Sequence, residues 1–472
     1  MFLQPSSRTT LPSGAHVAVI GGGPAGSLFA LFAFHYARQA GLDLHITIFE
    51  PRDFARSGPW GCNMCAGLIP MQVLRELAEI GLELPERIIR ARIHRYTLHT
   101  AAGQITLPQP DPDGDVVSVY RGQGPRCAPW PEPISFDGFL LEAARSQGAE
   151  VIPEQVTSVA FRPYPRVTTH RRTVLADLIV LATGVNRHPI HFTDLAYRPP
   201  PRRQMAQTEL CLGMDAVRTA LGESVHIFLP ADGTFIFATL VPKGPCINVS
   251  LLGRNLPKDC LDHFLALPEV AALLPGNGGR ACSCCPHIAV GPARPLYADR
   301  FVAIGDAGIT RLYKNGIGTA LRTARQAAKT AVQHGVSAAA FCAGYAPLCR
   351  EIAWDNLAGR FLFAFAQVFQ HHRRLTLPHL WSIAAEQTLP PSQRLHSRLL
   401  WGMFTGMYPY RELLTMALHP YVQGRLLVSF LRHFAPTFCL ALACQTDPLA
   451  PWAGGESFFA AIGLKQNDNP TL

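Results

Sequence analysis

Three glycines and an acid near the start of the chain have the types and spacing to bind a dinucleotide. In HVAVIGGGPAGSLFALFAFHYARQAGLDLHITIFE, residues 16 to 50, an apolar run meets a glycine turn, a helical stretch and a second apolar run that ends on Glu50. Gly21 lets the chain turn out of the first strand, Gly23 clears room for a pyrophosphate beside the backbone, and Gly26 lets the helix pack close to the sheet. Pro24 and Ala25 belong to the same turn, at a helix N-terminus whose unpaired N–H groups and positive dipole end favour an anion. Glu50, at the tip of the second strand, is placed to accept hydrogen bonds from an adenosine ribose.

Thiols form the second group with chemistry in it. Cys62-Asn63-Met64-Cys65 lies in a glycine-rich loop, PRDFARSGPWGCNMCAG, and Cys282, Cys284 and Cys285 make a later cluster. Three readings stand side by side: a redox dithiol, a bound metal or iron–sulfur cluster, and unconnected buried thiols with no metal. His188 and His287 are isolated and read as structural. His371-His372-Arg373-Arg374 reads as a solvated helix face, or, beside aromatic-rich helices, as a contact for anionic lipid headgroups.

The elements around these groups follow from periodicity. A helix is expected from Pro70 to about Gly81, strands over 88 to 120, and a helix from Phe136 closed by Gly148 and followed by a strand. ADLIVLATG, residues 176 to 184, reads as a parallel strand covered on both faces, with Gly184 letting the backbone approach a ligand. The runs HIFLP, GTFIFATLVP and CINVSLLG suit an antiparallel sheet. RFVAIGDAG returns to the buried-strand pattern, a strong helix follows over NGIGTALRTARQAAKTAVQHG, and from about residue 338 the chain is helical with aromatic clusters.

Composition bounds the function. With 48% hydrophobic and 16% charged residues among 472, the chain is not disordered and suits deep burial or an apolar ligand. Its +9 charge could serve an anionic cofactor, a membrane surface or nucleic acid, but no nucleic-acid module is present and a generally basic surface is the more ordinary reading. MFLQPSSRTTLPSG has no secretion pattern, and RLLVSFLRHFAPTFCLALAC is broken by Arg432, His433 and Pro436, so no spanning helix is expected. Thirteen cysteines without an export signal point to a reducing, cytoplasmic compartment with most of them buried thiols, and peripheral membrane contact stays open.

Taken in order, the glycine turn with Glu50, the strand ADLIVLATG and RFVAIGDAG followed by NGIGTA resemble the glutathione-reductase-like FAD proteins. Within them the chain is similar to the geranylgeranyl reductase and aromatic hydroxylase group over roughly residues 15 to 335. The resemblance implies an α/β fold: a Rossmann-like FAD-binding domain with a parallel sheet, an inserted antiparallel β-rich substrate domain and a helical C-terminal region. FAD-binding segments are expected at 15–85, 121–187 and 291–335, substrate-domain segments at 86–120 and 188–290, and the helical region at 336–472.

The same resemblance implies that Asp306 binds the ribityl chain and that Tyr313 to Gly318, including Gly316, Ile317 and Gly318, lie by the isoalloxazine ring. Their N–H groups and the helix N-terminus would stabilise negative charge on the reduced ring. Arg121, in VYRGQGP, stands where the group often places an arginine, and is read as a cofactor contact with an ordinary surface arginine as the alternative. Cys62 and Cys65 would line the reacting face. Arg311, Tyr313 and Lys314 would face flavin or substrate, a nearby cation favouring the reduced ring, unless they form a solvated basic loop. Thr183-Gly184 stands where aromatic hydroxylases carry Asp-Gly, which weakens a monooxygenase reading. Cys65-Ala66-Gly67 is an imperfect match to the reductases' cysteine-glycine loop. Phe237, Thr239, Val241 and Pro242 replace their Y-x-W-x-F-P strand.

The function expected is therefore an FAD-dependent oxidoreductase that moves hydride through flavin N5 to a carbon–carbon double bond of a hydrophobic substrate. A membrane-surface dehydrogenase passing electrons to quinone, a flavoprotein electron carrier and an aromatic monooxygenase are the alternatives. With no second dinucleotide fingerprint, the electron donor is NAD(P)H bound without its own domain, or a reduced protein.

Overall fold

The computed structural model describes residues 10–62, 65–111, 114–186, 189–231, 233–274 and 279–434. Asn63, Met64, His188, the first nine residues of the N-terminal tail and Pro436, all read above, lie outside them. The chain forms two units, one of Met1–Arg90, Val117–Met205 and Arg280–Asn356, the other of Ala91–Val116, Ala206–Gly279 and Leu357–Leu472.

The elements that matter begin with β1 (Ala15–Ile20), α1 (Pro24–Gln39), β2 (Leu44–Phe49), β3 (Arg95–Thr100) and β4 (Gly103–Pro108). Next come α2 (Phe136–Ser146), β5 (Glu150–Ile152), β6 (Leu178–Leu181), β7 (Arg202–Cys211) and α3 (Met214–Leu221). They continue with β8 (Ser224–Leu229), β9 (Phe237–Lys243), β10 (Cys246–Leu252), β11 (Tyr297–Ala298), β12 (Phe301–Ala303) and α4 (Gly316–Gln333). The last are α5 (Ala346–His371), α6 (Arg373–Glu386), α7 (Leu395–Thr405) and α8 (Pro420–Phe434).

In the first unit a sheet runs in the order β11-β12-β6-β1-β2-β5, with all pairs parallel except β11 with β12. Ile20, the last residue of β1, pairs with Phe49 on one side and Leu181 on the other, so three strand ends are level. Successive side chains of β1 alternate between two cores, as a strand covered on both faces requires. Val17 and Val19 pack with Phe29 and Phe32 of α1 and with the buried alanines of α4. Ala18 and Ile20 pack on the other face with Ile179, Leu181 and Phe301. Pro24 opens α1 with its φ preset, and Ser135 starts α2 by accepting a hydrogen bond from the Gly138 N–H at 3.0 Å. The expected helices at Pro70 and Phe136 are present as Met71–Ala78 and Phe136–Ser146.

In the second unit the sheet runs β7-β10-β9-β8-β3-β4. It is not wholly antiparallel, because β3 and β8, distant in sequence, pair in parallel. Its helix-covered face packs Leu210, Phe228, Leu240, Val249 and Leu251 against Val217 and Leu221 of α3 and against Phe264. The C-terminal helices are tied together by Glu386, which accepts from the His396 and Ser397 N–H groups at 3.0 and 2.8 Å and so caps α7.

Two expectations need correcting. His371-His372-Arg373-Arg374 is exposed but is no helix face: α5 ends at His371 and α6 begins at Arg373. Nor are most cysteines simply buried thiols. Cys211 and Cys246 form a disulfide between β7 and β10 with Cα atoms 4.1 Å apart, Cys260 and Cys349 are buried, and Cys285 and Cys342 are exposed. Among the described residues no helix is long and apolar enough to cross a membrane.

The approach of α1 to β1 leaves no space for a side chain at Gly26, where a Cβ would sit 1.9 Å from the Gly21 carbonyl oxygen. Gly26→Ala should therefore destabilise the protein by about 3 kcal/mol in urea unfolding. Gly424, inside α8 with nothing within 4 Å of its Cβ position, is the control: Gly424→Ala should gain about 0.5 to 1 kcal/mol.

Candidate functional site

The first unit gathers its polar groups at the carboxyl ends of β1, β2, β6 and β12. Gly21 has φ +108°, and a Cβ there would meet the Ala182 carbonyl oxygen, just past the end of β6, at 2.5 Å. Glu50, 1% exposed, is locked at the tip of β2: its Oε2 accepts from the Gly22 N–H at 2.9 Å and its Oε1 from the Arg52 N–H at 3.0 Å. A cavity of about 40 Å³ opens beside Gly21, Phe49, Pro51 and Thr183. Gly184 has φ +67° and open space where a Cβ would be. Gly305, φ +56°, follows β12 so closely against α1 that its Cβ would lie 2.8 Å from that of Ala25. The GD motif and the glycine turn are thus neighbours in space.

Asp306 comes with that contact. Burial raises its pKa above the usual aspartate value, against the pull of Thr310 and of the Arg121 guanidinium. A Cβ at Gly316, the first residue of α4, would lie 3.8 Å from both the Asp306 carboxylate and the Thr310 hydroxyl, so both groups border the same bare stretch of backbone. Arg121 is not a surface arginine. Its side chain is 13% exposed and makes a two-pronged ion pair with Asp137, whose side chain is fully buried, through its Nε and through Nη2, the latter at 2.9 Å. Burial disfavours the Arg121 charge, but Asp137 and the Cys65 sulfur together hold its pKa above the ordinary arginine value. Arg121 therefore connects Asp137, Cys65 and Asp306.

The loop from Arg311 to Asn315 is strained and largely packed rather than solvated. Tyr313 and Asn315 both have left-handed backbones, φ 63° and 51°. The Tyr313 hydroxyl bonds the Arg203 guanidinium, which also lies 5.5 Å from the ring centre. Arg311, 11% exposed, lies 4.0 Å from the Asp355 carboxylate. Lys314 is half-buried, and desolvation lowers its pKa to about 8. The Gly318 N–H is capped from within by Asn315 Oδ1 at 3.0 Å, while Ile317 is buried behind it. Asn356 pins the loop, accepting from the Leu312 N–H and donating to the Thr310 carbonyl, both at 2.8 Å.

Sequence reasoning missed Asp137, Asn356 and Arg203. Only Asp137 carried a signal, as an acid in the first turn of a helix shortly after Arg121. The Cys65 sulfur accepts from the Gly67 N–H at 3.4 Å, and the Cys62 carbonyl accepts from Arg52 at 3.0 Å. Neither cysteine is in a disulfide. Among the described residues neither joins Cys282, Cys284 or Cys285 in a group able to hold a metal.

No protein-family model matches the chain, and no curated protein matches it. Solved structures do. A flavoprotein/dehydrogenase from Cytophaga hutchinsonii aligns at 15% identity with a TM-score of 0.55, covering 90% of this chain and 100% of that one. The halogenase PltM, in a complex with FAD, aligns at 14% identity and TM-score 0.53 over 90% of this chain and 93% of that one. A p-nitrophenol 4-monooxygenase from Pseudomonas putida aligns at 14% and 0.51 over 86% and 97%. The chain has the fold of FAD-binding oxidoreductases.

Its own residues fit that group: a turn that a Cβ would obstruct, an acid fixed at the tip of β2, and a half-buried aspartate beside a bare helix start. Asp306→Asn tests the last. A carboxyl whose pKa folding raises costs stability wherever it is ionised, so that cost is present at pH 7 and absent below the unfolded value of about 4. The flavin-free variant should melt higher than the parent at pH 7 and no higher near pH 3, while its affinity for FAD falls about tenfold or more.

Proposed function

We propose that the protein is an FAD-dependent oxidoreductase acting on a largely apolar small molecule, with reduction of a carbon–carbon double bond as its reaction. The observation that carries the reading is the meeting of Gly21, Gly26, Glu50, Arg121 and Asp306 at one edge of the parallel sheet. Bound FAD would supply two-electron chemistry that side chains lack. Glu50 would hold the adenosine ribose, the turn from Gly21 through Gly23, Pro24 and Ala25 to Gly26 would admit the pyrophosphate, and Asp306 would take the ribityl hydroxyls. Gly184, Gly316 and Ile317 would present backbone to the cofactor, with Gly318 keeping the helix start in shape.

Arg121, anchored by Asp137, keeps a fixed positive charge beside Cys65. The Lys314 Nζ holds its proton below about pH 8 and can release it above, so it gives the site a titratable positive charge that Tyr313 and Asn315 position. Cys62 and Cys65 sit on the loop that would line the substrate side. NAD(P)H or a reduced protein would supply electrons.

Purified protein should carry FAD at close to one equivalent. Under anaerobic mixing with NADPH or NADH, then with a polyprenyl alkene, reoxidation by the alkene supports the reading. Oxygen consumption with a hydroxylated aromatic product would replace it with a monooxygenase, and reoxidation only by another redox protein with an electron carrier. Turnover should fall as pH rises through about 8, and Lys314→Met should flatten that limb of the profile.

A second reading, electron transfer to quinone at a membrane surface, is favoured by α5. Its solvent side carries Trp354, Leu357, Phe361, Phe365 and Val368, 44 to 71% exposed, and the exposed basic run His371–Arg374 follows directly. An apolar stripe facing water and ending in cations suits an anionic bilayer. On this reading the protein should sediment with phosphatidylglycerol vesicles and release in high salt, and Phe361→Asp with Phe365→Asp should abolish sedimentation without changing FAD content.

A further inference from the structure

Two stretches of the first unit, 195–205 and 286–298, run side by side and hold four arginines, one histidine and no acid. Arg202 pairs with Ala289, Arg203 with Ile288 and Gln204 with His287. Across three consecutive prolines from Arg202, Arg198 stands directly opposite Arg294. Each donates its backbone N–H to the other's carbonyl, at 2.6 and 3.0 Å. In such a pair the Cα atoms are about 5.5 Å apart and both side chains leave the same face, so the backbone itself holds two cations together.

Like charges placed directly opposite are destabilising, and the protein supplies no offset. Arg198, Arg202 and Arg294 are exposed, and among the described residues no carboxylate pairs with any of them. Burial, then the Arg202 charge, lower the His287 pKa, so Arg202 lies close to that ring. Pro199, Pro200 and Pro201 have their φ fixed, which sets the spacing of Arg198 and Arg202 before any ligand arrives.

The place of the pair matters as much as its charge. The residue before each opposed arginine is bonded to the turn that follows Asp306: the Tyr197 hydroxyl donates to the Ala307 carbonyl at 2.5 Å, and the Ala293 N–H to the Gly308 carbonyl at 2.7 Å. Arg203 reaches the Tyr313 hydroxyl. An uncompensated cation pair, open to solvent, is thus pinned one residue from the candidate cofactor site.

We propose that Arg198 and Arg294 are the docking point for the 2′-phosphate of NADPH, with Arg202 adding to the field that draws it in. A phosphate monoester carries about −1.5 to −2 charges at pH 7, which two guanidinium groups balance, and its free oxygens suit their planar forks of N–H donors. NADH has no such group. The inference deepens the proposed function by choosing its electron donor, and rests on that reading only in calling the dinucleotide a donor. A dinucleotide held by this phosphate needs no second glycine turn.

NADP⁺ and NAD⁺ differ in that phosphate alone, and calorimetric titration of each into the full chain with FAD added tests the site. The parent should prefer NADP⁺ about tenfold or more at low ionic strength, the effect of hydrogen bonds between charged groups, and the preference should shrink in high salt. Arg198→Ala and Arg294→Ala should each bring NADP⁺ to within about threefold of NAD⁺, leave NAD⁺ affinity unchanged and, by ending the repulsion, melt no lower than the parent. Arg218→Ala removes one exposed cation from α3 in the second unit and should keep the full preference, which separates the site from net charge. A parent that binds NADP⁺ no better than NAD⁺ overturns the proposal, as do Arg198 and Arg294 variants that keep the preference or an Arg218 variant that loses it equally. Flavin reduced by an acidic ferredoxin and not by NADPH also overturns it, and makes the patch a surface for a protein. FAD content is measured on each sample. Full FAD without a preference for NADP⁺ sinks the phosphate site alone, whereas a preference for NADP⁺ in protein that takes up no FAD sinks the oxidoreductase reading and leaves the site standing.

Discussion

Backbone crowding around the first helix is the constraint on which the rest of the first unit depends. A Cβ at Gly26 would lie 1.9 Å from the Gly21 oxygen, one at Gly21 2.5 Å from the Ala182 oxygen, and one at Gly305 2.8 Å from Ala25. These distances are possible only without side chains, and each joins a different stretch of chain to the start of α1. The first two contacts are backbone against backbone and the third is backbone against the Ala25 methyl, so the strand end carrying Asp306 has little freedom to drift. Side chains placed by a packed scaffold need less reordering when a ligand arrives.

The crowding also explains the electrostatics. Taking carboxylates out of water is expensive, and a buried ion pair at best roughly offsets that cost. Asp137 is met by both prongs of Arg121, whereas at Asp306 desolvation outweighs a Thr310 hydrogen bond and the pull of that guanidinium. The unit therefore keeps one carboxylate satisfied to hold Arg121 in place and another under tension. A donor that reached the tense one would relieve it, linking folding and binding through the same atom.

What the sequence disclosed was what is local. The β1–α1–β2 unit is contiguous, and glycine spacing, helical periodicity and the terminal acid all lie within one stretch of chain. Leu178–Leu181 and Gly316–Gln333 were legible for the same reason, one a continuous apolar run and the other an alanine-rich helix. What stayed hidden depends on pairing between distant segments. The partner of Arg121 lies beyond an insertion, and the parallel pairing of β3 with β8 joins segments that no local pattern connects. The Asn315 cap was hidden differently, since an asparagine before glycines reads equally as a loop. The cysteines misled because Cys211 and Cys246, unremarkable in the chain, face each other across two strands.

A seam of polar residues in the second unit shows the same limit most sharply. Gln207 and Glu209 on β7, and Asn248 and Ser250 on β10, recur at every second position as on any strand with one wet face. Only the assembled sheet reveals that this face is dry, and dryness changes the meaning of every polar residue on it. On a wet face Glu209 would be an ordinary solubilising acid with two hydrated oxygens. Buried, with Oε1 accepting from Asn248 and faced by Lys243, it becomes one member of a polar network that ties β7, β9 and β10 together.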